Sequence, residues 1–180
     1  MNNKNLFSIP NFISLIRLFL LIPIFYLLSQ DKRIYALMVI LLSGISDFLD
    51  GYIARKWNLQ SDAGRIIDPV IDKMSFIGLM LFLIISPNYI FPIWFFIIIC
   101  AREIMVLLFS FIFIEHKKEV LESSSPGKVS AFSIGITLIL FIFHVTPYMW
   151  IMAWLAIILT LYSSSVYFMR FLQHYKMNKK

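Results

Sequence analysis

The stretch SDFLDGYIARKWNLQSDAGRIIDPVIDK, Ser46 to Lys73, interrupts a chain that is otherwise strongly apolar. Of the 180 residues, 60% are hydrophobic and 14% are charged, yet five of the six aspartates fall within twenty-six residues, at 47, 50, 62, 68 and 72. Carboxylates are expensive in apolar surroundings and are usually kept there for function. The stretch therefore predicts a functional site at the ends of two apolar helices.

The rest of the chain has the composition of an integral membrane protein. A content of 17% aromatic and 60% hydrophobic residues leaves too few polar residues to cover a soluble domain of this length. About 20 apolar residues in a helix cross the hydrocarbon layer of a bilayer. We predict an all-α integral membrane fold with six transmembrane helices, preceded by a short interfacial segment in NLFSIPNF and forming a single domain over residues 1–180. The predicted spans are 10–29, 34–54, 65–86, 90–114, 128–146 and 148–170.

The distribution of Lys and Arg predicts the orientation of these spans, because cationic loops tend to remain in the cytoplasm. With the N-terminus inside, eleven of the sixteen basic residues fall in cytoplasmic segments, and only Lys32 and Arg33 fall on the opposite side of the membrane. The other three, Arg17, Lys73 and Arg102, lie within predicted spans. Both termini are therefore predicted to be cytoplasmic. The net charge of +6 is spread over loops and the C-terminal tail. This pattern favours the lipid bilayer, and not a nucleic acid, as the partner of the basic residues.

The aspartates form two acidic helix faces, because residues three or four apart share a face. The first face carries two carboxylates and two small residues, with an arginine near its edge. The second repeats a glycine and two carboxylates at intervals of four. The residues are Asp47, Asp50, Gly51, Ala54 and Arg55 on the first helix and Gly64, Asp68 and Asp72 on the second. We interpret the remaining acid, Asp62, as an N-cap or first-turn residue of the second helix.

Four carboxylates of this kind indicate a site for divalent cations. Hard oxygen ligands suit Mg²⁺, Mn²⁺ or Ca²⁺, and soft-metal ligands are missing from the stretch. Two ions sharing the carboxylates would relieve their repulsion, and two-metal sites are common in phosphoryl transfer. A cation or proton transporter is the alternative class. Transport sites usually lie near the bilayer midplane, whereas these acids are predicted near the cytoplasmic helix ends.

The spacing resembles the signature of the CDP-alcohol phosphotransferases, Asp-x2-Asp-Gly-x2-Ala-Arg-x8-Gly-x3-Asp-x3-Asp, at all eight positions. The resemblance implies transfer of a substituted phosphoryl group from a CDP-linked donor to an alcohol, with release of CMP. It implies two Mg²⁺ ions, with Mn²⁺ as the alternative, and a homodimer. It also implies roles for the motif residues: metal binding by Asp47, Asp50, Asp68 and Asp72, general-base catalysis by Asp72, and CDP binding by Gly51, Ala54, Arg55 and Gly64.

The acceptor alcohol is indicated by other segments. IPNFISLIR, AREI and SPGKVSAF are most similar to bacterial phosphatidylglycerophosphate synthases, which join CDP-diacylglycerol to glycerol 3-phosphate in the inner membrane. Those enzymes commonly follow the Gly-Lys pair with a Thr and a Gln, where this chain has Ser130 and no nearby Gln. The CMP-forming cardiolipin synthases of the same family, which use phosphatidylglycerol, are therefore the alternative, and phosphatidylserine synthases are a more distant one.

A phosphate-bearing acceptor requires cations near the site. The candidates are Arg65, Lys73, Arg102 and Lys128. Three of them have a structural alternative: Arg102 could form an intramembrane pair with Glu103, Lys128 could anchor a helix at the interface, and Lys73, about 100° from Asp72 around the helix, could face a neighbouring helix.

Overall fold

The computed structural model describes residues 9–56, 64–117 and 125–177, and these residues form six α-helices and no strand. Side chains are described over 18–46, at Ile71, and over 73–106 and 125–169. The helices are α1 (Ile9–Ser29), α2 (Arg33–Lys56), α3 (Gly64–Ile85), α4 (Ile93–Lys117), α5 (Ser125–Ile142) and α6 (Tyr148–Met177). The all-α prediction is confirmed for the described residues, and each predicted span overlaps one helix. The predicted interfacial segment lies largely outside the described residues.

Helix α1 ends in a turn that carries a non-glycine residue in the left-handed region. Asp31 has φ 56°. The N–H of Lys32 donates to the carbonyl of Leu27 at 2.9 Å, and the N–H of Asp31 donates to that of Leu28 at 3.1 Å. This pair of bonds is the Schellman arrangement, which satisfies carbonyl groups that the end of a helix would otherwise leave unpaired. It turns the chain into α2 within three residues.

Helix α5 ends in the same way, and this explains why it stops at Ile142 while the predicted span ran to 146. His144 has φ 53°. The N–H of Val145 donates to the carbonyl of Leu140 at 3.1 Å, and the N–H of His144 to that of Phe141 at 3.2 Å. The residue at this position of the motif is usually glycine, so a sequence with His here gives little sign of the helix end.

The chain divides into two compact units, Met1–Asn88 and Tyr89–Lys180. In the first unit, α1 packs against both α2 and α3. The rings of Phe25 and Phe82 stack with centroids 4.8 Å apart and planes 3° apart. Gly78 lies beneath them, since a Cβ built there would meet Leu21 Cδ1 at 3.4 Å and Phe25 Cζ at 3.8 Å. A Cβ at residue 78 would therefore be in ordinary contact with side chains of α1, and a larger side chain would have to displace them.

In the second unit, α6 packs against both α4 and α5. Two alanines of α6, Ala153 and Ala156, are fully buried and allow neighbouring helices to approach closely. Phe141 contacts Phe91 at a centroid distance of 5.0 Å and Trp150 at 5.3 Å, both in edge-on geometry. These aromatic contacts fill the end of the unit that lies near the turn between α5 and α6.

Large apolar side chains also cover the outer surfaces of the described helices. Two helical segments, Ser125–Ile142 and Tyr148–Met169, are long and apolar enough to cross a membrane. Phe132 on the first is 73% exposed and Ile158 on the second is 61% exposed. Such surfaces are typical of helices that contact lipid. These observations are consistent with a membrane protein, while the six crossings and the single domain over residues 1–180 stay predictions.

The predicted homodimer likewise stays a prediction. Of the small residues that favour close helix contacts, Gly78 packs inside the first unit and the hydroxyl of Ser75 donates to the carbonyl of Ile71 at 2.9 Å. A Cβ at Gly44 would meet no atom within 4 Å.

Candidate active site

The aspartate motif lies on the last ten residues of α2 and the first nine residues of α3. Asp47 and Asp50 are on α2, and Asp68 and Asp72 are on α3. The helical spacing on which the two acidic faces depend is therefore present on both helices. The side chains of these aspartates lie outside the described residues, and so does Asp62 in the connection 57–63. Their roles as ligands and base stay predictions.

The other motif residues follow the same division. Gly51, Ala54 and Arg55 lie on the last two turns of α2, and Gly64 is the first residue of α3. Arg65 follows on the first turn of α3, with its side chain outside the described residues. The predicted CDP-binding residues thus occupy the end of one helix and the start of the next.

The donor set of this motif fits a hard divalent cation. Four carboxylates at helical spacing supply oxygen ligands of the kind that Mg²⁺ and Mn²⁺ prefer. Elsewhere, no group of three or more His, Cys, Asp or Glu among the described residues is placed to hold a metal ion. The aspartate motif is therefore a candidate metal centre, and the described residues offer no other.

A second polar group joins α4 to α6 inside the apolar second unit. We call Arg102, Glu103, Ser163 and Tyr167 the arginine cluster. The Nη1 atom of Arg102 donates to Oε1 of Glu103 in an ion pair whose side chains are 13% and 14% exposed. Nη2 donates to Oγ of Ser163 at 3.3 Å, and Cζ lies 5.9 Å from the ring centroid of Tyr167.

The guanidinium of Arg102 still has unused donors. Its Nε atom is buried and has no hydrogen-bond partner among the described residues. Its terminal nitrogens also each carry two N–H groups, of which the cluster uses one apiece. A buried donor without an acceptor costs about 1–3 kcal/mol. An anionic group at this place could accept a hydrogen bond from Nε, which no described residue does.

A row of buried hydroxyls joins α5 to α6 beside this cluster. Oγ of Ser130 and Oγ1 of Thr160 are 2.8 Å apart, and both residues are at most 1% exposed. On α5, the hydroxyl of Ser133 donates to the Ser130 carbonyl at 2.7 Å, and that of Thr137 to the Ser133 carbonyl at 2.8 Å. Thr160 and Ser163 are one turn apart on α6. Thr160 therefore bonds to α5, and the neighbouring Ser163 bonds to α4.

These hydroxyl residues were not predicted to form part of a site. A signal was available: Ser130, Ser133 and Thr137 recur every three or four residues in an apolar helix, and Thr160 and Ser163 do the same. Small hydroxyl residues at this spacing are typical of contacts between membrane helices.

The predicted acceptor-binding cations have different surroundings. Arg102 lies in the arginine cluster, so the predicted pair with Glu103 is present, but it does not account for all of the guanidinium's donors. Lys128 is exposed on the first turn of α5, and Lys73 is half-buried on α3 in the first unit. Binding of an acceptor by any of them stays a prediction.

Comparison with known proteins identifies the family. The model of the CDP-alcohol phosphatidyltransferase family matches residues 7–162. The chain therefore belongs to this family, which confirms the resemblance inferred from the aspartate spacing. Members of the family are membrane-associated and generally depend on divalent metal ions.

Individual relatives carry two different names. A protein of Streptomyces coelicolor named cardiolipin synthase (CMP-forming) is 33% identical over 71% of this chain and 61% of its own length. An Aquifex aeolicus protein named CDP-diacylglycerol–glycerol-3-phosphate 3-phosphatidyltransferase is 32% identical over 73% of this chain and 74% of its own length. A Haemophilus influenzae protein of that second name is 34% identical over 56% of each chain. The matches thus span between 56% and 74% of these relatives.

Proposed function

We propose that this protein transfers the phosphatidyl group of CDP-diacylglycerol to glycerol 3-phosphate, forming phosphatidylglycerophosphate and releasing CMP. The complete aspartate motif at the end of α2 and the start of α3 is the observation that carries the proposal. Membership of the CDP-alcohol phosphatidyltransferase family supports the CDP-linked donor. The names of the Aquifex and Haemophilus relatives support the acceptor. This reaction is a step of phospholipid biosynthesis.

In this proposal Asp47, Asp50, Asp68 and Asp72 hold two Mg²⁺ ions, for which Mn²⁺ can substitute. Bound ions would neutralise the diphosphate oxygens and stabilise negative charge on the attacking and leaving oxygens. Gly51 and Gly64 leave room for the CDP group close to the backbone, because glycine has no side chain. Ala54, whose side chain is a single methyl group, lies on the same face of α2 as Gly51 and leaves similar room.

Asp72 acts as the general base. Its carboxylate takes the proton of the acceptor hydroxyl while the hydroxyl oxygen attacks the phosphorus that bears the diacylglycerol group. A new P–O bond forms, the P–O bond to CMP breaks, and CMP leaves with the bonding electron pair. Arg55 contributes a cation that binds the CDP phosphates.

Glycerol 3-phosphate differs from a neutral alcohol by its phosphate group, so its binding requires cationic donors. Arg102 is the first candidate, because its guanidinium is held by described contacts and has N–H groups that no described residue accepts. Arg65, Lys73 and Lys128 are the further candidates.

An acceptor panel tests the proposal. Purified protein is incubated with CDP-diacylglycerol, Mg²⁺ and one of four acceptors: glycerol 3-phosphate, phosphatidylglycerol, serine or inositol phosphate. We expect CMP release and a phosphatidylglycerophosphate product with the first. Cardiolipin formed from phosphatidylglycerol would instead support the second candidate function, which the name of the Streptomyces relative favours. Cation flux in liposomes without CMP release would refute both and support a transporter.

A single substitution tests the base. Asp72→Asn removes the proton acceptor and should lower the rate of CMP release by a factor of about 10² or more. Asp31→Asn is the matched control, because Asp31 is the one aspartate outside the 47–72 stretch and its ion pair with Arg33 is on the surface. Near-normal turnover of a folded Asp72→Asn protein would refute the assignment.

We also propose that the protein is a homodimer that spans the bacterial inner membrane several times, with both termini in the cytoplasm. The excess of Lys and Arg in the predicted cytoplasmic segments supports the orientation. Replacing Cys100 by Ala and adding one cysteine, at Lys32 or at Lys179, tests it. A membrane-impermeant thiol reagent should label intact cells at position 32 and not at 179, and the reverse pattern would refute the orientation.

A further inference from the structure

We propose that Ser163 is a positioning residue, which holds the Arg102 guanidinium in the orientation that binds the phosphate of the acceptor. This inference rests on the proposed function and deepens it, because it assigns acceptor recognition to a contact between α4 and α6. Ser163 is fully buried on α6. Its hydroxyl oxygen therefore serves a neighbouring side chain and not solvent.

The arginine cluster restrains the guanidinium from three directions. Glu103 accepts a hydrogen bond from Nη1, Ser163 accepts one from Nη2, and the ring of Tyr167 lies 5.9 Å from Cζ. A long side chain loses about 2 kcal/mol of rotamer freedom when it is fixed on binding. An arginine that is already fixed loses less rotamer freedom when its ligand binds, so the ligand is bound more tightly.

The chemistry of the remaining donors favours a phosphate oxygen. Guanidinium groups match the geometry of phosphate and form charge-assisted bonds with it. Arg102 keeps N–H groups that no described residue accepts, and one of them is buried. The ion pair with Glu103 compensates the positive charge of the guanidinium inside an apolar unit before an anion binds.

Ser163 differs from the two serines that follow it. The hydroxyl of Ser164 donates to the carbonyl of Thr160 at 2.8 Å, and that of Ser165 to the carbonyl of Leu161 at 2.9 Å. Both bonds stay within α6. Within this run of three serines, only Ser163 has a described bond to another helix. The sequence thus supplies a matched control, in which the same hydroxyl is deleted one residue away.

The experiment compares Ser163→Ala, Ser163→Thr and Ser164→Ala in steady-state kinetics with both substrates varied. For Ser163→Ala we expect the KM for glycerol 3-phosphate to rise about fivefold to tenfold, which corresponds to the loss of one hydrogen bond of ordinary strength, because the 3.3 Å contact is long. Its kcat and its KM for CDP-diacylglycerol should change less than about twofold. Ser163→Thr keeps the hydroxyl and should restore the KM, and Ser164→Ala should match the wild type.

Combining Ser163→Ala with a substitution of Arg102 tests whether Ser163 acts through Arg102. Arg102→Lys removes the planar fork, so adding Ser163→Ala to it should raise the KM no further. Additive effects would overturn the proposal. So would a fall in kcat without a change in KM, or an equal effect of Ser164→Ala, because these results indicate a structural role.

The same variants separate failure of this inference from failure of the proposed function. If the wild type makes cardiolipin and not phosphatidylglycerophosphate, the proposed acceptor is wrong, and the KM for phosphatidylglycerol, which also carries a phosphate, is compared instead. A raised KM for that lipid in Ser163→Ala alone would support the positioning role, and an unchanged KM would overturn it.

Discussion

The buried bond between Ser130 and Thr160 gives a quantitative prediction about how α5 and α6 are held together. The two hydroxyl oxygens are 2.8 Å apart, and their residues are 1% and 0% exposed. Removing one hydroxyl leaves the other buried and without its partner, at a cost of about 1–3 kcal/mol. A serine or threonine in a helix can recover part of this by bonding to the carbonyl four residues earlier. We therefore expect a cost near the lower limit for each single substitution.

Ser130→Ala and Thr160→Val are the substitutions, since each deletes a hydroxyl with little change in volume. Each alone should lower the free energy of unfolding by about 1 kcal/mol. The double variant should lose about the same amount as one single variant, because no unpaired hydroxyl remains. The expected coupling, the two single losses minus the double loss, is about 1 kcal/mol, which lies between the average of roughly 0.6 and the maximum of roughly 1.7 kcal/mol for hydrogen bonds between membrane helices.

The assay is reversible unfolding in mixed micelles, with all four proteins of the cycle measured under one condition. Ser164→Ala serves as the control, because the described hydrogen bond of the Ser164 hydroxyl stays within α6. The reasoning is refuted if the double variant loses the sum of the single losses, about 2 kcal/mol, since the two hydroxyls would then act independently.

Three further predictions concern other parts of the chain. Gly78→Val should destabilise the protein by about 1–3 kcal/mol in thermal unfolding, because side chains of α1 already lie 3.4–3.8 Å from the added Cβ. Gly44→Val is the control: a Cβ at Gly44 has no atom within 4 Å, so this substitution should change the free energy of unfolding by less than about 0.5 kcal/mol. Equal losses in the two variants would contradict the packing of α1 on α3. At Asp31, with φ 56°, replacement by Gly should give a protein more stable than replacement by Val by about 1–2 kcal/mol, and the opposite order in the same assay would contradict the left-handed turn. Chelation of divalent ions should abolish CMP release, and Mg²⁺ or Mn²⁺ but not Zn²⁺ should restore it; activity that persists in excess chelator would contradict a metal centre at the aspartate motif.

The positions of the helices could be predicted from sequence, because a membrane helix requires a long apolar run and each run here is bounded by polar residues. The helix ends were harder to predict. The ends of α1 and α5 depend on Asp31 and His144 in left-handed conformation, and neither residue is the glycine that marks such an end in most sequences. The aspartate motif was recognisable because its spacing is fixed within two adjacent helices.

Contacts between distant helices could not be predicted in this way. Ser163 and Arg102 are 61 residues apart, and Ser130 and Thr160 are 30 apart. Such contacts depend on the rotation of each helix about its axis. A surface helix reveals its rotation through an apolar stripe, but a helix that is apolar on all sides gives no such signal. The few polar residues on α4, α5 and α6 were therefore the only guide to which side of each helix contacts another helix.

The division of the chain suggests how one family supports different acceptors. The whole aspartate motif, from Asp47 to Asp72, lies within the first unit, and the arginine cluster lies within the second. If the arginine cluster binds the acceptor, as we propose, substitutions on α4 and α6 should change which acceptor is bound without altering any residue of the aspartate motif. On this reasoning, exchanging Ser163 and Tyr167 for the corresponding residues of a cardiolipin synthase should change acceptor preference while the dependence on CDP-diacylglycerol stays the same. A loss of CDP-diacylglycerol use in such a variant would show that the two functions are not separable.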